Sequence, residues 1–279
     1  MQDGQLSSPT TRDPEDDTLL TECERETLSE PYKHHVTNRR NNWNVNITKF
    51  RRLWDCFMLL DAIWRREIEA MGKNVCDRNE VFPYFLLGAA HAKLHVVIDL
   101  CFSDYVMEAL SILRGLIENV VHACRLLSRP ELLEVWQNHE NDSVSQRAWQ
   151  DEFWFQKESR LFEGLPELYL AWKMCSDVSH ANIDSLLRRY YPADGNEDDW
   201  GFYYTDGSAQ DFPVMLSGIL QILTDLEQRA FDETESHLRF DAELLNMRDK
   251  LRREKWDAFE SLGLISRLAD GSFVMAPQK

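Results

Sequence analysis

Two consecutive segments constrain this chain more than any other feature. They are "FPYFLLGAAHAKLHVVIDLCF" (82–102) and "SILRGLIENVVHACRLL" (111–127). Both repeat apolar residues at three- and four-residue spacing, the period of a helix that buries one face. On a wheel of about 100° per residue, Leu110, Leu113, Ile117, Val120, Val121, Cys124 and Leu127 fill one arc. Arg114, Glu118, His122, Arg125 and Ser111 fall together along its edge. The preceding segment repeats the design, with Leu86, Leu87, Ala90, Leu94, Val97, Ile98 and Cys101 on the apolar arc and His91, His95 and Asp99 along its edge. Two helices with an ionisable stripe bordering a core predict an antiparallel pair whose stripes line one groove. Arg114 and Glu118 are also close enough, at i and i+4, for a simple salt bridge at the rim of a core. The same ionisable groups argue against a membrane span, because each is costly in lipid.

The rest of the chain extends this all-α reading. "ITKFRRLWDCFMLLDAIWRREIEAMG" carries a helical stripe, and the next helix is expected to open at Pro83. "SRPE" offers a capping box between Ser128 and Glu131, so a new helix should begin there. "QRAWQDEFWFQKESRLF" reads as helix up to Gly164, and Pro166 opens another to about Tyr191. "YYPADGNEDDWGFYYTDGSAQDFP" breaks the pattern with turn residues and holds one short strand at "WGFYY". Helices then follow from Pro213 to about Phe231 and from about Asp241 to Ser261. "LISRLADGSFVM" suits a hairpin turning at Asp270-Gly271. The expected architecture is a multi-helix bundle with a disordered acidic tail (1–38), a bundle core (39–192), an irregular loop (193–211), C-terminal helices packed on the bundle (212–262) and a terminal hairpin and tail (263–279). The tail is assigned from its acidic, Ser/Thr/Pro-rich composition, which offers little surface to bury.

Charge and cysteines narrow the function classes. With 48 acidic against 31 basic residues the formal charge is -17, which opposes non-specific binding to nucleic acid or anionic membrane. Six cysteines without a C-x-x-C pair read as reduced thiols, and the N-terminus lacks the basic-then-apolar order of a secretory signal. Both place the chain in the cytoplasm. No P-loop, dinucleotide glycine pattern or G-x-S-x-G elbow is present, and no cofactor is expected. His91 and His95, with Asp99 as a third donor, are the one arrangement with metal-ligand spacing. Paired helical histidines are common without metal, and the reading is of no metal centre.

The helix after Pro166 carries a further polar and aromatic stripe, with Tyr169, Lys173, Ser176, His180, Asp184 and Tyr191 on one side. Ser179 and His180 adjoin in sequence but point about 100° apart, so they form no nucleophile pair. "YVMEALSILRGLIENVVHACRLL" and the later "CSDVSHA" together resemble a bacterial family of all-helical proteins of unassigned function. The matching positions are Ala109, Leu113, Arg114 and Glu118, then Ser176, Ser179 and His180, within a likeness that spans about residues 85–190. That family is in turn similar, more distantly, to the HEPN superfamily of helical bundles. This resemblance implies a protein of bacterial defence or toxin–antitoxin type, a homodimer or a complex with an antitoxin or defence component, and metal-independent ribonuclease activity. HEPN nucleases place an Arg and a His four to six residues apart on one helix. Here Arg114 and His122 stand eight apart and His180 lies on a later helix. The implied catalytic set is Arg114, Glu118 and His180 with His122 as an alternate base, flanked by Ser176, Ser179, Lys173 and Arg125 as binding residues. Histidine would move the proton and arginine would stabilise the phosphate charge. The competing reading is a non-enzymatic interaction or sensor module whose polar groove is structural.

The C-terminal segment is slightly basic where the rest is acidic. "RDKLRREKWDAFESLGLISRLADGSFVM" resembles the helix-and-wing end of a winged-helix domain. On that reading Arg248, Arg252, Arg253 and Lys255 would contact DNA phosphates.

Overall fold

The computed structural model describes residues 19–75, 78–156, 160–179, 190–192, 200–202, 212–235, 240–268 and 272–275. Within them the chain is an all-α bundle with two small antiparallel hairpins. The long helices are α2 (Glu30–Lys49), α3 (Arg51–Asn74), α4 (Arg78–Phe102) and α5 (Val106–Ser128), preceded by the short α1 (Glu22–Thr27). After a 3-10 turn at Pro130–Leu132 come α6 (Leu133–Asn138) and α7 (Ser143–Phe153). A second 3-10 turn, Arg160–Phe162, leads to α8 (Pro166–Ser179). Strands β1 (Tyr190–Pro192) and β2 (Trp200–Phe202) pair antiparallel, and α9 (Phe212–Glu235), α10 (Ala242–Ser261), β3 (Ile265–Arg267) and β4 (Phe273–Met275) close the chain.

α5 is the spine. Leu113, Leu116, Ile117, Val120 and Ala123 are fully buried, and α5 packs against α4, α8 and α9. α4 and α5 form an antiparallel hairpin through a tight reversal at Ser103-Asp104-Tyr105. Asp104 takes a left-handed φ of 66°, while its N–H donates to Cys101 O and that of Tyr105 to Leu100 O. This is the Schellman arrangement, built on an aspartate, which tolerates the left-handed region better than most residues. On the other side α3 packs against α4, α9 and α10, burying Phe57, Leu60, Ile63 and Trp64. The segment Val81–Phe102 is apolar and long enough to cross a membrane; here its Leu87, Ala90, Leu94, Val97 and Cys101 are buried in the bundle.

Five sequence expectations change. Helix begins near residue 20 and not at 39. Thr21 and Glu24 form a complete capping box on α1, and Leu20 is buried. Arg40 of α2 bonds the Leu19 carbonyl at 2.6 Å and Glu24 at 2.7 Å, so the acidic composition that suggested disorder is met by specific basic partners. The expected tail is described only from residue 19 onward; residues 1–18 lie outside the described residues. Pro83 does not open α4 but sits inside it, early enough that its missing N–H interrupts only the first turns. Ser128 caps nothing: it ends α5, its Oγ donates to Arg125 O at 3.2 Å, and Glu131 turns to Arg129. α7 stops at Phe153, well before the expected end at Gly164. Finally, Tyr190–Pro192 is a strand that pairs with Trp200–Phe202, where a helix to Tyr191 and a lone strand were expected. The terminal hairpin forms as read, with Arg267 opposite Phe273; Asp270-Gly271 lies outside the described residues.

Candidate functional site

α8 runs antiparallel along α5 and brings part of the predicted set together. Arg114 Nε donates to Glu118 Oε1 at 3.0 Å, one helical turn away. Trp172 of α8 donates its indole N–H to the same Oε1, also at 3.0 Å. The Arg114 guanidinium carbon lies 5.5 Å from the centroid of the Trp172 ring, within cation–π range. Arg114 is thus fixed at its Nε and along one face, with about a third of the side chain exposed. Its two terminal nitrogens have no hydrogen-bond partner among the described residues. One turn beyond Trp172, Ser176 is buried and its Oγ has no hydrogen-bond partner among the described residues. Lys93 of α4 reaches across to donate to Gly115 O at 2.8 Å, filling the space that a Cβ at Gly115 would take. Burial lowers the Lys93 pKa, and the charge of Glu118 opposes that shift.

The other predicted residues stand apart from this cluster. His122 lies among Phe153, Phe155 and Trp136, and its Nε2–H donates to Phe153 O at 3.4 Å. Burial pushes its pKa down to about 4, so the half-buried ring is neutral at physiological pH. Its ring serves the packing between α5 and α7. Arg125 pairs with Glu152, which also accepts from Arg160 at 2.8 Å; the stripe continues as a structural clamp from α5 to α7. Lys173 lies on the outer side of α8, 3.4 Å from Asp177. Ser179 ends α8, and His180, which the sequence reading made central, lies outside the described residues.

The two ionisable stripes do not share a groove. The apolar arc of α4 is wide enough to serve two neighbours. Lys93, on one edge, faces α5, while the edge bearing His91, His95 and Asp99 meets α2 and α3. His91 and His95 both converge on Asp61 of α3, and Asp99 is taken by Arg39 of α2. Asp61 and Trp172 are the residues that sequence reasoning missed. The spacing of His91 and His95 announced a shared partner but not which helix would supply it.

The C-terminal basic set is corrected as well. Arg248 and Lys255 are buried, bonded to Glu227 at 2.6 Å and to Thr224 at 3.0 Å. Neither can reach a phosphate. Arg252 and Arg253 are exposed, but Arg252 already bonds Gln228. The hairpin packs back on its own helix, with Phe273 stacked on Trp256 at 5.2 Å and Arg267 paired with Asp257.

No protein-family model, no curated protein and no solved structure matches this chain.

Proposed function

We propose that the α5–α8 cluster holds a phosphate group of RNA, as the HEPN-like resemblance implies, with Arg114 as its anchor. The observation that carries this reading is the state of Arg114. Its Nε is tied to Glu118 and its face rests on Trp172, while its terminal nitrogens carry no partner among the described residues. A planar guanidinium oriented in this way suits two-point binding of a phosphate, and little side-chain freedom remains to be lost on binding. Ser176, on the same face of α8 as Trp172, is buried and does not reach such a phosphate. His180, the residue after Ser179, is the proton carrier on this reading, because His122 is engaged with the Phe153 carbonyl. The net charge of -17 gives no long-range attraction to a polyanion, so recognition rests on contact at this one place.

A second reading is supported by a different observation. Glu118, Arg125 and His122 are all engaged inside the protein, as they would be in a non-enzymatic interaction module with a structural polar seam. Turnover of short single-stranded RNAs by wild type, Arg114→Ala and His180→Ala separates the two. Loss of one positioned donor costs about 10²–10³-fold in rate where it stabilises the transition state. The ribonuclease reading expects cleavage by wild type and a loss of that size in both variants. Equal turnover by all three chains eliminates the site. Absence of turnover in wild type selects the interaction module.

A further inference from the structure

We propose a divalent metal site at Asp61, His91 and His95, on the α3–α4 side of the bundle, away from the Arg114 cluster. His91 and His95 stand one helical turn apart on α4, with ring centroids separated by 4.6 Å. Both rings point the same nitrogen at the same atom: His91 Nε2 lies 2.8 Å and His95 Nε2 2.7 Å from Asp61 Oδ1. The three donor atoms all lie within 4.8 Å of one another. The donors are two imidazoles and one carboxylate from two adjacent helices. An ion bound at about 2.0–2.2 Å from each would hold the two nitrogens only slightly farther from the Asp61 oxygen than they now stand. Occupation therefore requires small side-chain rotations and no movement of either helix.

The donor set selects the ion. Two nitrogens and one oxygen favour Zn²⁺ or another borderline first-row ion over Mg²⁺ or Ca²⁺, which prefer all-oxygen surroundings. His91 is mostly buried, with its ring against Trp64, and Asp61 is about a quarter exposed. His95 is more than half exposed. The rigid half of the site thus faces the core and the fourth coordination position faces solvent. That is the arrangement of an open site with bound water and not of a closed four-ligand structural centre. Asp99, the donor expected from spacing alone, takes no part, because Arg39 holds it on the next turn.

The test is a titration of the full, chelator-treated chain with CoCl₂, read by the visible d–d bands of tetrahedral cobalt and then by displacement with ZnCl₂. One equivalent should bind with those bands. His95→Gln and Asp61→Asn should each weaken binding by more than about tenfold, since loss even of a residue that only orients a ligand costs about 10–100-fold. His95 is exposed enough for its replacement to leave the bundle intact, and Asp61→Asn keeps a hydrogen-bond acceptor for one ring. Lack of saturable one-equivalent binding by wild type overturns the proposal and leaves a hydrogen-bonded triad joining α3 to α4. Equal affinity in wild type and both variants overturns it too, by placing the ion elsewhere.

Discussion

An Arg248→Ala variant loses about 3–5 kcal/mol of folding stability, the range found when one partner of a buried ion pair is removed. Arg248 is 5% exposed on α10. Its Nε lies 2.6 Å from Glu227 Oε1 and 4.0 Å from Glu67 Oε1, and its guanidinium covers the Phe231 ring at 3.3 Å. Both carboxyls are themselves buried, so deleting the cation strands them beside each other. Glu67 already holds its proton well above the ordinary carboxylate range. Burial is the main cause, followed by the negative charge of Glu227 and a shared hydrogen bond with it, while Arg248 pulls the other way. A carboxyl whose pKa is raised by folding favours the folded state at low pH, and that contribution is lost as pH rises through the raised value. Without Arg248 the loss with rising pH becomes steeper. Glu67→Gln, by contrast, keeps a donor toward Glu227 and carries no charge. It should cost about 1 kcal/mol or less and flatten the pH dependence. Urea unfolding at pH 5 and pH 8 measures both variants. An Arg248→Ala chain within about 1 kcal/mol of wild type would contradict this account of the core.

Acid weakens the fold through His122. The unfolded ring takes a proton near pH 6.5, whereas in the bundle it resists until about pH 4. Between those values the unfolded chain binds more protons, so stability falls as pH falls. The loss amounts to about 3 kcal/mol by pH 4, at about 1.4 kcal/mol for each tenfold change in proton concentration. His122→Gln can still donate to the Phe153 carbonyl but cannot become charged. Its unfolding midpoint should therefore change less between pH 6.5 and pH 4 than that of wild type. Parallel pH profiles for the two chains would show that the folded bundle does not hold the His122 ring neutral.

The wide apolar arcs on α3, α4 and α5 were legible from residue spacing, and the extent of α10 and the terminal hairpin from the sequence as well. Early helix at α1 and α2 was not, because composition averages over a segment while Glu24 and Arg40 form one particular pair. The burial of Arg248 and Lys255 was legible but went unread. Leu244, Arg248, Leu251, Lys255 and Ala258 repeat at alternating four- and three-residue steps, and all five are buried. The basic residues beside them drew the reading toward a surface. The site divides in the same way. The Arg114–Glu118 contact follows from helical spacing. Trp172 and Asp61 do not, because both come from helices whose rotation against α5 and α4 is set by packing around the whole bundle.

The most direct test of the central claim observes Arg114 itself. Its Nε–H resonance in the ¹⁵N-labelled chain can be assigned by its disappearance in Arg114→Lys and then followed during titration with a short single-stranded RNA. A phosphate seated on the free edge of the guanidinium predicts a saturable shift at Arg114 Nε–H, with weaker RNA binding by the Arg114→Lys chain. An Arg114 resonance that stays in place while RNA binds elsewhere, or while no binding occurs, would contradict it and leave the Arg114–Glu118–Trp172 cluster as a strut between α5 and α8.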